Sequence, residues 1–275
     1  MKKDLQFFMM RALGLLSYLA PTWTARVACR WFLTPPNVTA PDKENLFLRS
    51  ANEHKHLHGC AVWRFGQAEQ KVLLIHGWAG RGAQMRYFVE PLMAMGFEVW
   101  LMDGPGHGQS DPMPMTNMAR FAEALLQIAQ DLGGLQAVIG HSLGGAAAVV
   151  AAGFGAPIQK LILLGSPAKM EKVFNHFSKA VGLSPKANVR FYQEVEGQLR
   201  RPRESLEPLT VGPQTQCQAL ILHDPKDPQV SFQHAIDYVE NWPAAKLVRL
   251  EGVGHYRLLR SPDALLSVQE FLQDK

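Results

Sequence analysis

The sequence predicts an α/β fold, a doubly wound and mostly parallel sheet of eight strands with helices on both faces. Short apolar segments alternate with longer segments whose apolar residues recur at helical spacing. The apolar segments lack a clean alternation of apolar and polar residues, as expected for strands that are buried on both faces. With 275 residues, 47% of them hydrophobic and 19% charged, the chain can form one large domain with an inserted segment.

The predicted strands and helices follow one another regularly after residue 41. We predict strands over residues 44–49, 59–65, 71–76, 97–102, 135–140, 158–164, 219–223 and 246–250. The first two strands are expected to form a hairpin. We predict helices over residues 84–95, 116–132, 231–242 and 262–272, and another over the small residues that follow Ser142. Gly96 ends the first of these helices, and Gly133 with Gly134 ends the second.

The segment between Pro167 and Cys217 interrupts this alternation. It contains apolar residues at helical spacing but no strong strand pattern, and it is much longer than an ordinary connection. We therefore predict a helical lid over residues 168–216, inserted into a main domain that spans residues 41–275. An ordinary crossover helix is the alternative.

Residues 1–40 are expected to form an N-terminal helical extension. Arg11, Leu15 and Tyr18 recur at helical spacing, and the longest uncharged run, residues 12–25, is too short to span a bilayer. We favour a helix that packs on the main domain. An amphipathic, cationic helix of this kind is also typical of a membrane-surface anchor, so peripheral membrane contact through residues 1–35 stays open. A cleaved signal peptide fits less well, because Asp4 and Arg11 interrupt its apolar core.

The charge pattern argues against a nucleic-acid partner. The net charge is only +4, and the one dense cationic cluster, residues 200–203, has no aromatic residues interleaved with it. We interpret this cluster as a solvated loop.

The cysteine and histidine patterns indicate neither a disulfide framework nor a metal site. Cys29, Cys60 and Cys217 lie far apart, which fits a reducing compartment and predicts a cytoplasmic protein. Residues 54, 56 and 58 are alternating histidines that could share a strand face, but no further ligand is placed near them by the sequence. We therefore expect no metal and no cofactor.

The segment Gly140-His141-Ser142-Leu143-Gly144 carries the strongest functional signal. An apolar run precedes it and a run of small residues follows it, so the motif Gly-x-Ser-x-Gly lies between a predicted strand and a predicted helix. This is the context of a nucleophile elbow, in which a sharp turn raises a serine hydroxyl above the sheet edge. The N-terminus of the following helix offers unpaired N–H groups to a developing oxyanion.

A serine nucleophile needs a base and a carboxylate that orients the base. Functional groups of parallel sheets lie at the carboxyl ends of the strands. Asp224 and Asp227 follow one late strand, and His255 follows the next one. We predict that His255 is the base and that Asp227, which lies further along its loop, orients it. Asp224 then has a role in the turn or at the start of the following helix.

The predicted oxyanion hole uses two backbone N–H groups. Leu143 follows the nucleophile and supplies one of them, and Trp78, in the loop after the strand at 71–76, supplies the other. The Trp78 side chain is expected to line the acyl pocket, and Trp78 and His141 are the predicted substrate-binding residues.

With these motifs, the chain resembles the α/β-hydrolase superfamily, in its esterase, lipase and thioesterase branch. The resemblance extends from about Val72 to the C-terminus and depends on residues 76–78, 140–145, Asp227 and His255. The loop at residues 103–110, Asp-Gly-Pro-Gly-His-Gly-Gln-Ser, is similar to a loop beside the site in that family. We interpret its histidine, His107, as a packing and hydrogen-bonding residue of the loop.

These patterns predict a serine hydrolase that cleaves a small-molecule acyl ester or thioester through a Ser142–His255–Asp227 catalytic triad and an acyl-enzyme. An acyltransferase, a peptidase or a carbon–carbon hydrolase on the same residues is the alternative enzyme class. A non-catalytic ligand receptor on the same fold is the alternative outside enzymes. The sequence leaves the substrate and the oligomeric state open.

Overall fold

The structure, a computed structural model, describes residues 2–36, 38–199 and 201–274. In this part of the chain eight strands form one sheet in the order β1-β2-β4-β3-β5-β6-β7-β8. Their bounds are β1 Glu53–Leu57, β2 Cys60–Phe65, β3 Lys71–Ile75, β4 Glu98–Met102, β5 Leu135–His141, β6 Ile158–Leu164, β7 Gln218–His223 and β8 Ala245–Arg249. The strands β3 to β8 run parallel, while β2 pairs antiparallel with both β1 and β4. The predicted fold class is confirmed.

Helices cover both faces of the sheet. Their bounds are α1 Lys2–Leu16, α2 Pro21–Leu33, α3 Asp42–Leu48, α4 Val89–Ala94, α5 Met118–Asp131, α6 Leu143–Gly153, α7 Met170–Val181, α8 Pro185–Gly197, α9 Pro208–Val211, α10 Gln233–Asn241, α11 Gly254–Arg257 and α12 Pro262–Gln273. Short 3-10 helices lie at Gly82–Phe88, Arg203–Leu206, Gly212–Gln214 and Leu258–Arg260.

The hydrophobic core has one layer on each face of the sheet. Along β3, Leu73 and Ile75 face the layer formed by α5 and α6, whereas Val72 and Leu74 face the layer formed by α4 and α12. All four side chains are fully buried. A strand with apolar neighbours on both faces needs apolar residues at every position, which explains the continuous apolar runs in the sequence.

The predicted strand at residues 44–49 is wrong, because this segment forms the helix α3. Its residues Glu44 and Leu48 are one helical turn apart and both are buried. Glu44 forms ion pairs with Arg81 and Arg86, which stabilise its carboxylate in the interior. The hairpin partner of β2 is therefore β1, a mostly exposed strand whose polar sequence gave no strand signal.

The predicted helix at residues 84–95 is only partly correct. The chain forms a 3-10 helix over Gly82–Phe88 and becomes α-helical at Val89. The tighter turn places Ala83, Met85 and Phe88 in the core.

Between β6 and β7 the described residues form α7, α8 and α9, without a strand among them, in the region where a helical insertion is predicted. The N-terminal helices α1 and α2 pack against α7 and α8. Within the described ranges, no helix is both long and apolar enough to cross a membrane.

Candidate active site

Ser142 lies at the turn between β5 and α6 in a strained backbone conformation, with φ 52° and ψ −121°. Positive φ is costly for a residue with a side chain, and such strain is concentrated at functional sites. The turn is tight enough that a Cβ on Gly140 would lie 2.5 Å from the backbone nitrogen of Gly145. The Ser142 N–H donates to the Leu164 carbonyl of β6 at 2.9 Å, which fixes the turn to the sheet. The geometry is that of a nucleophile elbow.

Asp227 and His255 meet beside the elbow, each after the strand predicted to precede it. The distance between Nδ1 of His255 and Oδ2 of Asp227 is 2.7 Å, and both side chains are almost completely buried. Because a carboxylate only accepts hydrogen bonds, Nδ1 carries the proton and Nε2 keeps its lone pair. The imidazole is thus held in the tautomer that a general base requires.

The Asp227 carboxylate is held in its charged form. Its other oxygen, Oδ1, accepts hydrogen bonds from the N–H groups of Gln229 at 2.7 Å and Val230 at 3.1 Å. Burial alone raises the pKa of Asp227, but the hydrogen bonds from His255 and from these two backbone groups outweigh burial and hold the pKa below its ordinary value.

Asp224 has a different position, facing the loop that carries His255. Its Oδ2 accepts a hydrogen bond from the Gly254 N–H at 2.5 Å, and its Oδ1 accepts one from the Lys226 N–H at 2.8 Å. The structure therefore pairs His255 with Asp227 and uses Asp224 to bridge the loops after β7 and β8. This bridge gives no signal in the sequence, since it joins residues 30 positions apart.

His141 lies beneath His255. The two ring centroids are 4.6 Å apart, and the His141 Nε2–H donates to the His255 carbonyl at 3.1 Å. Burial and the neighbouring His255 lower the pKa of His141 to about 3, so the ring is neutral at physiological pH. His141 was predicted to bind substrate, but it is 2% exposed and does not belong to the cavity lining of the described residues. Its ring packs against the His255 ring and its Nε2–H binds the His255 backbone.

The loop after β3 closes the other side of the site. A Cβ on Gly77 would lie 2.8 Å from the Ser142 Cβ, so a glycine is needed for the loop to approach the elbow. His107 accepts the Ala79 N–H at Nε2, at 3.2 Å, which ties the neighbouring 103–110 loop to this one. Trp78 lines the cavity in front of Ser142.

A cavity of about 980 Å³ opens onto Ser142, Leu143 and Trp78. Residues from the helices between β6 and β7, among them Val173 and Phe177 of α7, also line it. The N-terminal helices also reach it, a contribution that sequence reasoning missed. No local pattern could have indicated it, because these residues are more than 100 positions away from Ser142 in the chain.

The residues of the cationic cluster that the structure describes form ion pairs. Arg201 lies 2.8 Å from Glu123, and Arg203 lies 3.1 Å from Glu171 and 3.4 Å from Glu196. Arg200, which belongs to the same predicted loop, lies outside the described residues.

The alternating histidines of the hairpin have separate partners. The His54 ring stacks on Trp63 at 4.8 Å, His56 lies 3.6 Å from Asp111, and His58 lies 2.9 Å from Asp131. Among the residues that the structure describes, no group of three or more His, Cys, Asp or Glu could hold a metal ion. The three cysteines are buried and free.

Comparison with known proteins shows the family of this chain. The sequence profile of the alpha/beta hydrolase family matches residues 72–268, which is more than half of the chain. The protein therefore belongs to the alpha/beta hydrolase family.

Solved structures share its fold at low sequence identity. An esterase from Exiguobacterium antarcticum is 17% identical with a TM-score of 0.61, over 80% of this chain and 98% of that one. The thioesterase domain from the curacin biosynthetic pathway is 18% identical with a TM-score of 0.59, over 81% and 98%. A meta-cleavage product hydrolase from Pseudomonas fluorescens is 18% identical with a TM-score of 0.58, over 82% and 99%. At these identities the likeness concerns the fold.

Proposed function

We propose that this protein is a serine hydrolase that cleaves small-molecule carboxylic esters or thioesters through a covalent acyl-enzyme. The observation that carries the proposal is the strained Ser142 at the elbow, whose neighbour in sequence, His141, packs against a buried His255 with Nδ1 2.7 Å from Asp227. A hydroxyl, an imidazole in the basic tautomer and an ionised carboxylate are together what acyl transfer to serine requires.

In the proposed reaction, Oγ of Ser142 attacks the acyl carbonyl carbon while Nε2 of His255 takes the hydroxyl proton. Asp227 stabilises the imidazolium that forms. The N–H groups of Leu143 and Trp78 donate to the carbonyl oxygen as it becomes negative. Collapse of this intermediate expels the alcohol or thiol, which receives the proton from His255. Water then attacks the acyl-enzyme, gives one proton to His255 and releases the acid, and Ser142 regains its proton.

Ser142→Ala tests the assignment of the nucleophile. We expect this variant to lose turnover of p-nitrophenyl butyrate and labelling by a fluorophosphonate, because Ser142 is the serine of the strained elbow turn and lines the cavity. Ser267→Ala is the matched control, since Ser267 is half-buried on α12, outside the cavity lining, and is used in no step of the reaction. Peptide mapping of the labelled protein identifies the serine that reacts. Labelling of a serine other than Ser142 would refute the proposal.

We further propose that the inserted helices α7 to α9, within the predicted segment 168–216, act as a lid that shields the acyl-enzyme from bulk water. The position of these helices supports this role, since α7 supplies Val173 and Phe177 to the wall of the cavity that opens onto Ser142. Reaction of fluorophosphonates that differ only in bulk tests this role. Loosening the lid by Phe177→Ala is expected to increase the rate for the bulky probe relative to the small one. An unchanged ratio of rates would contradict a shielding role.

A peripheral membrane contact through residues 1–35 is also proposed, with anionic lipid as the partner. The outer surface of the N-terminal helices exposes Leu15 by 74%, Leu19 by 84% and Trp23 by 57%. Exposed aromatic and aliphatic side chains beside arginines are typical of helices that lie at a lipid interface. Co-sedimentation with vesicles of phosphatidylserine and phosphatidylcholine is expected to decrease in Leu15→Glu. Leu266→Glu, on the exposed side of α12, is the matched control, and equal binding of the two variants would refute the contact.

A further inference from the structure

The two N-terminal helices, α1 and α2, form one wall of the cavity that opens onto Ser142. Met9 and Met10 of α1 and Trp31, Phe32 and Leu33 of α2 line it. These residues precede the family match, which begins at residue 72. The part of the chain that matches the family therefore supplies the elbow, and a segment that precedes the match supplies another wall of the cavity.

Close backbone packing and buried hydrogen bonds fix α1 to the inserted helices. A Cβ on Gly14 would lie 2.5 Å from the Val181 carbonyl oxygen, so only glycine permits this approach of α1 to the end of α7. After α1, the Ser17 hydroxyl accepts the Ser184 N–H at 2.8 Å, and the Ser184 hydroxyl donates to the Ser17 carbonyl at 2.8 Å. All of these groups are buried, so the wall is part of the folded domain.

Phe32 of α2 connects this wall to the helices of the insertion. Its ring centroid lies 5.4 Å from that of Phe174, 5.0 Å from that of Phe177 and 5.7 Å from that of Phe191. Aromatic pairs at these separations are stabilising beyond the area that they bury. The apolar residues that these two segments contribute, the N-terminal helices and the helices between β6 and β7, form a wall of the cavity that we call the sleeve.

We propose that this sleeve binds the long, unbranched acyl chain of a fatty acyl ester or thioester, with the carbonyl carbon at Ser142. The inference rests on the proposed function. A short acyl group needs only the space around Trp78 and Leu143, whereas the sleeve continues to Met10 and Trp31 of the N-terminal helices. Methionine and aromatic side chains at its far end match an aliphatic chain, which offers no hydrogen bonds.

The volume agrees with this assignment. At roughly 30 Å³ for each water-sized group, a chain of about twelve carbons occupies roughly 400 Å³, well within the 980 Å³ of the cavity. Each methylene that leaves water for an apolar site improves binding by about fourfold. An acyl chain that fills the sleeve should therefore be preferred strongly over a short one.

The test is the ratio of kcat/KM for p-nitrophenyl dodecanoate to kcat/KM for p-nitrophenyl butyrate, measured below the aggregation concentration of the longer ester. We expect a ratio of about 100 or more in the unaltered protein, which corresponds to three or four buried methylenes. Met10→Trp narrows the sleeve from the N-terminal side and should lower this ratio by about tenfold. Ala180→Trp, at an exposed lining position of α7, should lower it from the opposite wall.

Val189→Trp is the matched control. It also introduces a tryptophan, on α8, at a position that is 60% exposed and outside the cavity lining, and it should leave the ratio unchanged. Fluorophosphonate labelling confirms that each variant is folded. A preference for butyrate, or an equal fall in the ratio for Val189→Trp and Met10→Trp, would refute the acyl sleeve while leaving the serine hydrolase intact. Loss of labelling at Ser142 together with no hydrolysis of any ester would instead refute the proposed function.

Discussion

Replacing Asp227 by asparagine changes one atom in the interior of the site and is expected to reverse the tautomer of His255. Oδ1 of Asp227 already accepts two backbone hydrogen bonds, from Gln229 and Val230. The oxygen of the new amide keeps these bonds, so its NH₂ group faces Nδ1 of His255, 2.7 Å away in the unaltered protein. Nδ1 must then accept a hydrogen bond, and the proton moves to Nε2, where it blocks removal of the Ser142 proton.

The size of the effect follows from this reversal. The same exchange in serine proteases lowers kcat by about 10⁴-fold, which corresponds to roughly 5 kcal/mol of transition-state free energy. Asp224→Asn changes the same atom in the neighbouring carboxylate, which contacts Gly254 and Lys226 but not the imidazole. Because both Asp224 oxygens accept backbone N–H groups, the single amide oxygen leaves one N–H without its acceptor, a cost of about 1–3 kcal/mol in the stability of the loop. We expect it to lower kcat by less than about tenfold.

The assay is steady-state hydrolysis of p-nitrophenyl butyrate, with the concentration of folded protein determined by circular dichroism. Thermal unfolding of both variants separates lost activity from lost structure. If Asp224→Asn lowers kcat more than Asp227→Asn does, the two aspartates have exchanged roles and the reasoning from the 2.7 Å contact is refuted.

Three further predictions concern the fold. Ser17→Ala leaves the buried Ser184 N–H without an acceptor, so we expect the free energy of unfolding to decrease by about 1–3 kcal/mol. An unchanged unfolding temperature would contradict the importance of this buried hydrogen bond. Burial holds the pKa of both His76 and His141 at about 3, below the ordinary value of 6.5, so between these values the unfolded chain binds more protons than the folded one. The contribution of these two histidines to the free energy of unfolding is therefore fully present above pH 6.5 and is lost as the pH falls, by about 4 kcal/mol between pH 7 and pH 5 for both together. A free energy of unfolding that does not change with pH, measured by urea denaturation, would refute this. Gly140→Ala forces a Cβ against the facing backbone of α6, so we expect little folded protein, and normal labelling by a fluorophosphonate would contradict the packing of the elbow.

Predictions from local patterns failed where tertiary contacts override local preference. Residues 44–49 contain apolar side chains that suggested a strand, but the segment is helical, and its buried Glu44 forms ion pairs with Arg81 and with Arg86 of the following 3-10 helix. The strand β1 is mostly exposed and polar, so hydrophobic periodicity could not reveal it. His141 directly precedes Ser142 in the sequence, yet its side chain contacts His255 and does not line the cavity.

The sequence by itself determined the sheet, the elbow and the order of the residues that follow its strands. Short segments of the sequence determine these features, because apolar runs predict strands buried on both faces and glycines on both sides of Ser142 permit the sharp turn. Parallel strands align their carboxyl ends, so the loops that carry Asp227 and His255 had to meet at one edge.

Only the tertiary structure decided which aspartate contacts His255, since both follow the same strand and their reach differs by the path of one loop. It also brought the N-terminal helices to the cavity. The distance between Met10 and Ser142 in the chain carries no information about their distance in space, because that depends on how α1 packs against α7 at Gly14. Local motifs identify the reactive residues, whereas the shape of the cavity depends on how distant segments of the chain pack together.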